Sequence, residues 1–198
     1  VRHWFERWQH ARRANTKTGA KRNIAAHYDL GNDFYAKWLD ATWMYSSASF
    51  VDQNESLESA QTNKINDLLA RAHVQAGQKI LEIGSGWGSV AIACAQAGAS
   101  VLSITLSEAQ LVLARERAIE AGVAERIEFA LCDYRDLTPA MHGQFDAVIS
   151  CEMYEAVGEE WWQPYFNKVA EMLKPNGRFA FQGITIAAER FDAYRQSS

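Results

Sequence analysis

Three cysteines in 198 residues are too few and too scattered to build a disulfide framework. Cys94, Cys132 and Cys151 are odd in number, lack C-x-x-C spacing and each fall in an apolar segment, which excludes a cross-linked scaffold and a cysteine metal site and points to a reducing cytoplasm. His3, His10, His73 and His142 show no ligand spacing either, so no metal is assigned. No apolar run reaches the length of a membrane-spanning helix, and nothing resembles a signal peptide. The expectation is a soluble or peripheral protein. Repeats and low-complexity tracts are absent. The chain starts at Val1 and ends in "RQSS", from which we expect it to be part of a longer polypeptide.

What is present is enough apolar material, 48% of residues, for one substantial core and one main domain. Charge is unevenly placed. Residues 1–22 carry seven basic side chains against the single acid Glu6, a balance of +6 within a chain of −4, which leaves −10 for the remainder. Trp4, Phe5, Trp8 and Ala11 share one face of a helix there, with Arg2, Arg12 and Arg13 mostly on others. Such a helix suits docking on the core and contact with an anionic lipid interface about equally. Nucleic acid fits less well, because the remaining surface is acidic.

The stretch "KILEIGSGWGS", residues 79–89, is an apolar run that stops at an acid and breaks into alternate glycines. Lys79 to Ile83 has strand character and the residues after the glycines keep helical spacing, so the loop is a strand-to-helix turn suited to close approach of a ligand. The dinucleotide fingerprint needs a third glycine where Ser89 stands, and a later acid for a ribose. The spacing acid-x-G-x-G-x-G, Glu82 to Gly88, instead follows the pattern of S-adenosylmethionine-dependent methyltransferases, in which glycines make room for the methionine moiety and the acid orients the loop and the cofactor's amino group.

Helical spacing from Leu57 to Ala72 precedes that strand. Beyond it come a strand at Ser100 to Thr105, a helix at Ser107 to Ala121, strands at Ile127 to Cys132 and Phe145 to Cys151, a helix at Trp161 to Leu173 and a strand at Arg178 to Ile186. Alternation of this kind predicts an α/β fold, a doubly wound, mostly parallel Rossmann-like sheet with its ligands beyond the carboxyl ends of the strands. A complete methyltransferase sheet has two further strands, which we expect to lie beyond this sequence. We expect residues 1–72 to form a basic helix and a helical lid over the cofactor, and residues 73–198 to form the cofactor-binding core.

The segments "NIAAHYDLGNDFYAKWLDATWMYSSASF" (23–50), "LEIGSGWG" (81–88), "ITLSEAQ" (104–110), "DYRDL" (133–137), "EMYEAVG" (152–158) and "FAFQGITI" (179–186) together resemble the cyclopropane fatty acid and mycolic acid cyclopropane synthases. The resemblance implies that Tyr45 and Ser46 close over S-adenosylmethionine and that Glu82, Gly84 and Gly86 hold its methionine part. Thr105 and Gln110 would contact the methionine or ribose side, and Asp133 with Tyr134 the adenine. Gln110 also completes a capping box with Ser107, a structural role that can coexist with the first.

The reaction so implied adds a methylene to the double bond of an unsaturated phospholipid acyl chain through a carbocation, with aromatic faces steadying the charge. In the family the base is thought to be a bicarbonate held by a glutamate, a histidine, a tyrosine and backbone amides near a cysteine. Those positions give the catalytic candidates Glu155, Gln182 (at the histidine) and Ser47 (at the cysteine), and place the tyrosine beyond Ser198. Gln182 can hydrogen-bond but cannot be a cation or a general base. Glu155 is also a favourable acid in a first helical turn, His27 and Tyr28 are equally readable as packed aromatics over the cofactor, and Trp87, Trp161 and Trp162 read as packing rather than catalytic residues. The implied setting is cytoplasmic, peripheral on the inner membrane surface, without nucleic acid, and compatible with a homodimer. The rival readings are methyl- or methylene-branched acyl chain synthesis, a small-molecule N-methyltransferase, and a non-catalytic membrane-associated module that binds the cofactor.

Overall fold

The computed structural model describes Gly19 and residues 31–197; the basic helix, His27 and Tyr28 lie outside the described residues. Short apolar, β-branched runs form five strands, Lys79–Ile83 (β1), Ser100–Thr105 (β2), Ile127–Leu131 (β3), Phe145–Cys151 (β4) and Leu173–Gln182 (β5), the central ones buried along nearly their whole length. They pair in the order β3-β2-β1-β4-β5, every pair parallel. Among residues 31–197 the α-helices are Asn32–Tyr35 (α1), Leu57–Ala72 (α2), Ser89–Gln96 (α3), Glu108–Glu120 (α4), Trp162–Met172 (α5) and Ala188–Ser197 (α6).

Period-two alternation sends neighbouring residues to opposite faces of the sheet. Ile80, Val101, Ala147 and Ile149 join Ile65 and Leu68 of α2, Cys94 of α3, and Leu111 and Ala114 of α4 in one core. Leu81, Ile83 and Val148 join Tyr165, Val169 and Met172 of α5 in the other. Both faces are therefore covered, which is the doubly wound arrangement expected. Each fully buried aliphatic or aromatic side chain contributes about 1.5–3 kcal/mol. α2 is consequently anchored in the core of the sheet. Its ends are set locally: Ser56 Oγ accepts from Ser59 N at 3.1 Å, and His73 closes the helix in the left-handed region at φ 53°.

The chain winds outward from β1 through β2 to β3, then returns to the other side of β1 as β4. That reversal places a topological switch point between β1 and β4, where an open parallel sheet forms its ligand crevice.

The last strand departs from the sequence expectation of Arg178 to Ile186. It begins at Leu173, turns through Pro175-Asn176-Gly177 with Asn176 at φ 67°, and ends at Gln182 opposite Cys151. β4 offers no pairing beyond Cys151, and the amide of Ile184 goes instead to the carboxylate of Glu155. Among the described residues no helix is long and apolar enough to cross a membrane.

Candidate active site

The carboxyl ends of the strands and the segment Trp38–Phe50 enclose one largely apolar cavity of about 980 Å³, at the upper end of the 300–1,000 Å³ usual for ligand sites. Every candidate residue read from the sequence lines it except Gln182, which reaches it through Ser47 and Glu152.

The polar floor is built at the end of β1. Glu82 is 3% exposed, and its Oε2 accepts from Ser103 Oγ at 2.5 Å; Ser103 Oγ in turn lies 2.6 Å from Ser85 Oγ. Burial outweighs that hydrogen bond and pushes the carboxyl pKa up to about 8. A cation is what such a group lacks.

The three glycines after it do different work. Gly86 has φ +50°, and a Cβ there would meet nothing within 4 Å, so it opens onto the cavity. At Gly88, φ +86°, a Cβ would stand 3.0 Å from Ala114 Cβ and 3.1 Å from Phe129 Cζ, so this glycine serves helix packing. Gly84 is also constrained by protein, since its Cβ would meet Met153 at 3.1 Å. The amides of Gly84 and Ser85 both donate to Ile104 O, at 2.9 and 3.0 Å, and so tie the loop to β2.

At the end of β2 only half of the capping box forms. Ser107 Oγ accepts from Gln110 N at 3.3 Å, but the Ser107 amide donates to Thr105 Oγ1 at 3.1 Å. Gln110 Oε1 accepts from Thr105 Oγ1 at 3.3 Å, and Gln110 Nε2 is left buried without a partner. At the end of β3, Asp133 is gripped by its neighbour: Arg135 Nε donates to Oδ1 at 2.8 Å and Nη2 to Oδ2 at 2.6 Å. Tyr134 packs edge-on against Tyr165, centroids 5.1 Å apart.

Over the strand ends, Tyr45 packs between Tyr35 and Trp38, each 5.4 Å away centroid to centroid. The chain leading into this segment is pinned to the glycine loop by Trp87 Nε1 donating to Asn32 Oδ1 at 2.8 Å, and the segment itself to α4 by Arg117 Nη2 donating to Thr42 O at 3.0 Å. Trp87 is thus a buried packing residue. Ser46 Oγ accepts from the buried Lys64 Nζ at 2.5 Å. Burial depresses the Lys64 pKa while Cys151, Glu152 and Asp40 pull it upward.

Two of the three catalytic candidates, Ser47 and Gln182, meet around a residue that the motifs did not single out. Glu152 Oε1 accepts from Ser47 N at 3.1 Å, from Ser47 Oγ at 2.8 Å and from Gln182 Nε2 at 2.6 Å. Glu155 is exposed and takes the Ile184 amide. The signal that could have found Glu152 is an acid directly after a buried strand, in the segment where substrates meet an open sheet.

The residues fit S-adenosylmethionine. Glu82 is a buried acid without a cation, Gln110 Nε2 is a buried donor without an acceptor, and Gly86 leaves open space between them and the rest of the cavity. Bicarbonate fits poorly, since the Ser47 amide and hydroxyl, the Gln182 amide and the Ile184 amide already serve protein carboxylates.

Comparison with known proteins adds the following. The family model described as mycolic acid cyclopropane synthetase matches residues 15–198. A tuberculostearic acid methyltransferase of Mycobacterium tuberculosis is 44% identical over 190 residues, 92% of this chain and 44% of that protein. A cyclopropane-fatty-acyl-phospholipid synthase of Escherichia coli is 36% identical over 167 residues, 84% of this chain and 41% of that protein. The chain thus spans less than half the length of these relatives. A solved mycolic acid cyclopropane synthase complexed with SAH and CTAB superposes with TM-score 0.78 at 26% identity, covering 88% of this chain and 60% of that one.

Proposed function

Because the chain belongs to the mycolic acid cyclopropane synthetase family, we propose that it adds a one-carbon unit from S-adenosylmethionine to the double bond of an unsaturated phospholipid acyl chain. The observation that carries this reading is the cavity of about 980 Å³ at the carboxyl ends of the strands. It has a cation-seeking acid and an unpartnered amide at one end and an apolar remainder, rimmed by the exposed Phe50, Leu57 and Ile184. It is large enough for a cofactor and a stretch of acyl chain together.

Glu82 would hold the amino group of S-adenosylmethionine, Gln110 Nε2 an acceptor on its methionine or ribose side, and Asp133, steadied by Arg135, with Tyr134 its adenine. Bound there, the cofactor supplies an electrophilic methyl group. An alkene is a weak nucleophile, so the apolar walls contribute by excluding water and fixing the double bond. The aromatic rings that line the cavity, among them Tyr45 and Tyr134, present π faces to the cation that forms on the acyl chain. Of the expected division into a cover (1–72) and a cofactor-binding core (73–198), the described residues 38–50 would supply the cover, while α2 packs on the sheet as part of the core. Phe50, Val51 (82% exposed) and Ile184 suit contact with a membrane surface, from the cytoplasmic side.

Cyclopropane formation is the product expected from the sequence. A methyl- or methylene-branched chain is a second reading, favoured by the 44% identity to the tuberculostearic acid methyltransferase and by Ser47 and Gln182 standing at the cysteine and histidine positions. The test is incubation with S-adenosylmethionine and vesicles of monounsaturated phospholipid. Ring and methylene-branched products each gain one CH2, which mass analysis should show and NMR then tells apart; a saturated methyl branch would need an added hydride donor and gain two further hydrogens. Cofactor binding without a gain on any unsaturated lipid would overturn the reading in favour of an N-methyltransferase or a binding module.

A further inference from the structure

The geometry points to Glu152 as a built-in catalytic base, a carboxylate of the protein's own standing where a bound bicarbonate would otherwise collect the donors of Ser47 and Gln182; this rests on the alkylation reading above. Three observations converge on it. Oε1 receives the Ser47 amide, the Ser47 hydroxyl and the Gln182 amide at 3.1, 2.8 and 2.6 Å, so the carboxylate is held in one orientation. Among the described residues no donor reaches Oε2, which leaves that oxygen as the basic atom of a group lining the cavity. The backbone is committed to the same end. Glu152 has φ +46°, a region that L residues with long side chains seldom occupy, and its own amide donates to Gln182 O at 2.8 Å. Non-glycine residues held there cluster at functional sites.

The position is also the right one chemically. Glu152 directly follows β4 at the switch point between β1 and β4, across from Glu82 at the end of β1. In the step, a C–H bond of the cationic acyl chain breaks and its electron pair forms the new carbon–carbon bond of the ring, or the double bond of a methylene branch. The proton passes to Oε2, and the resulting carboxylic acid returns it to water. A proton beside a carbocation is far more acidic than a carboxylic acid, so the demand on the base is orientation more than strength. Gln182, which cannot take a proton, is suited to holding that orientation.

The experiment compares the full-length chain with Glu152→Gln and Glu152→Gly, each checked by thermal melting and by calorimetric affinity for S-adenosylmethionine. Wild-type turnover on monounsaturated phospholipid should be the same in bicarbonate-stripped and bicarbonate-supplemented buffer. Glu152→Gln should bind the cofactor normally and turn over at least about 100-fold more slowly. Glu152→Gly, whose backbone accepts φ +46° without strain, should regain rate with added bicarbonate, and labelled bicarbonate should bind it but not the wild type. A wild-type rate that falls when bicarbonate is removed, labelled bicarbonate binding to wild type, or near-normal turnover of Glu152→Gln would overturn the assignment. If no lipid is alkylated by wild type at all, the proposed function fails, and the bicarbonate-binding arm still decides the role of Glu152.

Discussion

Two glutamates at the carboxyl ends of the paired strands β1 and β4 make the most instructive contrast in the molecule. Glu82 is buried with one hydroxyl donor, and its pKa is pushed up to about 8. Glu152 is half-buried with three donors on one oxygen. The same side chain is thereby prepared for opposite tasks. A carboxylate starved of hydrogen bonds in a dry pocket gains most from an incoming cation, because the cation relieves its desolvation. A carboxylate already supplied with donors gains little from a cation, but it is oriented, and orientation is what a base needs. On the proposed roles of cofactor anchor and base, the environment built around each acid, and not its residue type, makes the distinction.

The most severe way to break the contrast is Glu82→Gln. Replacing the anionic partner of a buried ion pair costs about 2–5 kcal/mol, so affinity for S-adenosylmethionine should fall by about 100-fold or more by calorimetry. Melting temperature at pH 8 and above should hold or rise. The sign follows from the raised pKa: the folded state keeps the proton more tightly than the unfolded chain, so folding is weakened as pH climbs from about 4.5, the ordinary value, towards about 8. The amide removes that penalty. A Glu82→Gln protein with undiminished affinity would dissolve the contrast.

A smaller effect sharpens it in the unmodified protein. Since the ion pair requires ionised Glu82 and a charged ammonium, binding should tighten as pH rises from 6 towards about 8, by up to about tenfold per unit, and weaken again as the ammonium, an α-amino group of ordinary pKa about 8, loses its proton. Calorimetry in buffers of different ionisation enthalpy should register a proton released on binding near pH 7. An affinity flat between pH 6 and 8 would show that Glu82 is already ionised in the free protein.

The smallest expected effect concerns the third glutamate of the cavity. Glu155 accepts the Ile184 amide, and a glutamine retains an acceptor oxygen there. Glu155→Gln should therefore keep turnover within about tenfold of wild type, well above Glu152→Gln, in the same lipid alkylation assay. Equal losses in the two variants would place the proton transfer on both acids.

The sheet was legible because its signals are local. Strands β1, β2 and β4 have the bounds that alternation and flanking turns indicate, and Ser56, Ser107 and His73 close helices through contacts with near neighbours. β5 was less legible, since where it stops depends on how far β4 extends to pair with it and on a carboxylate that captures Ile184. Of the glycines, Gly86 is the one whose side-chain space stands open, as a glycine making room for a ligand requires. The constraints at Gly84 and Gly88 come from Met153, Ala114 and Phe129, which lie far along the chain.

By itself the sequence determined the strand–helix alternation, the glycine turn after Glu82 and the set of residues that gather at one cavity, because these follow from periodicity and from the fixed side of an open parallel sheet on which ligands sit. Only the tertiary structure decided which acid does what. Glu152 acquires its donors from Ser47, 105 positions earlier, and from Gln182, 30 positions later, and Glu82 owes its raised pKa to walls contributed by several strands. Hydrogen-bond supply and desolvation are properties of the assembled site, and no stretch of sequence around either glutamate contains them.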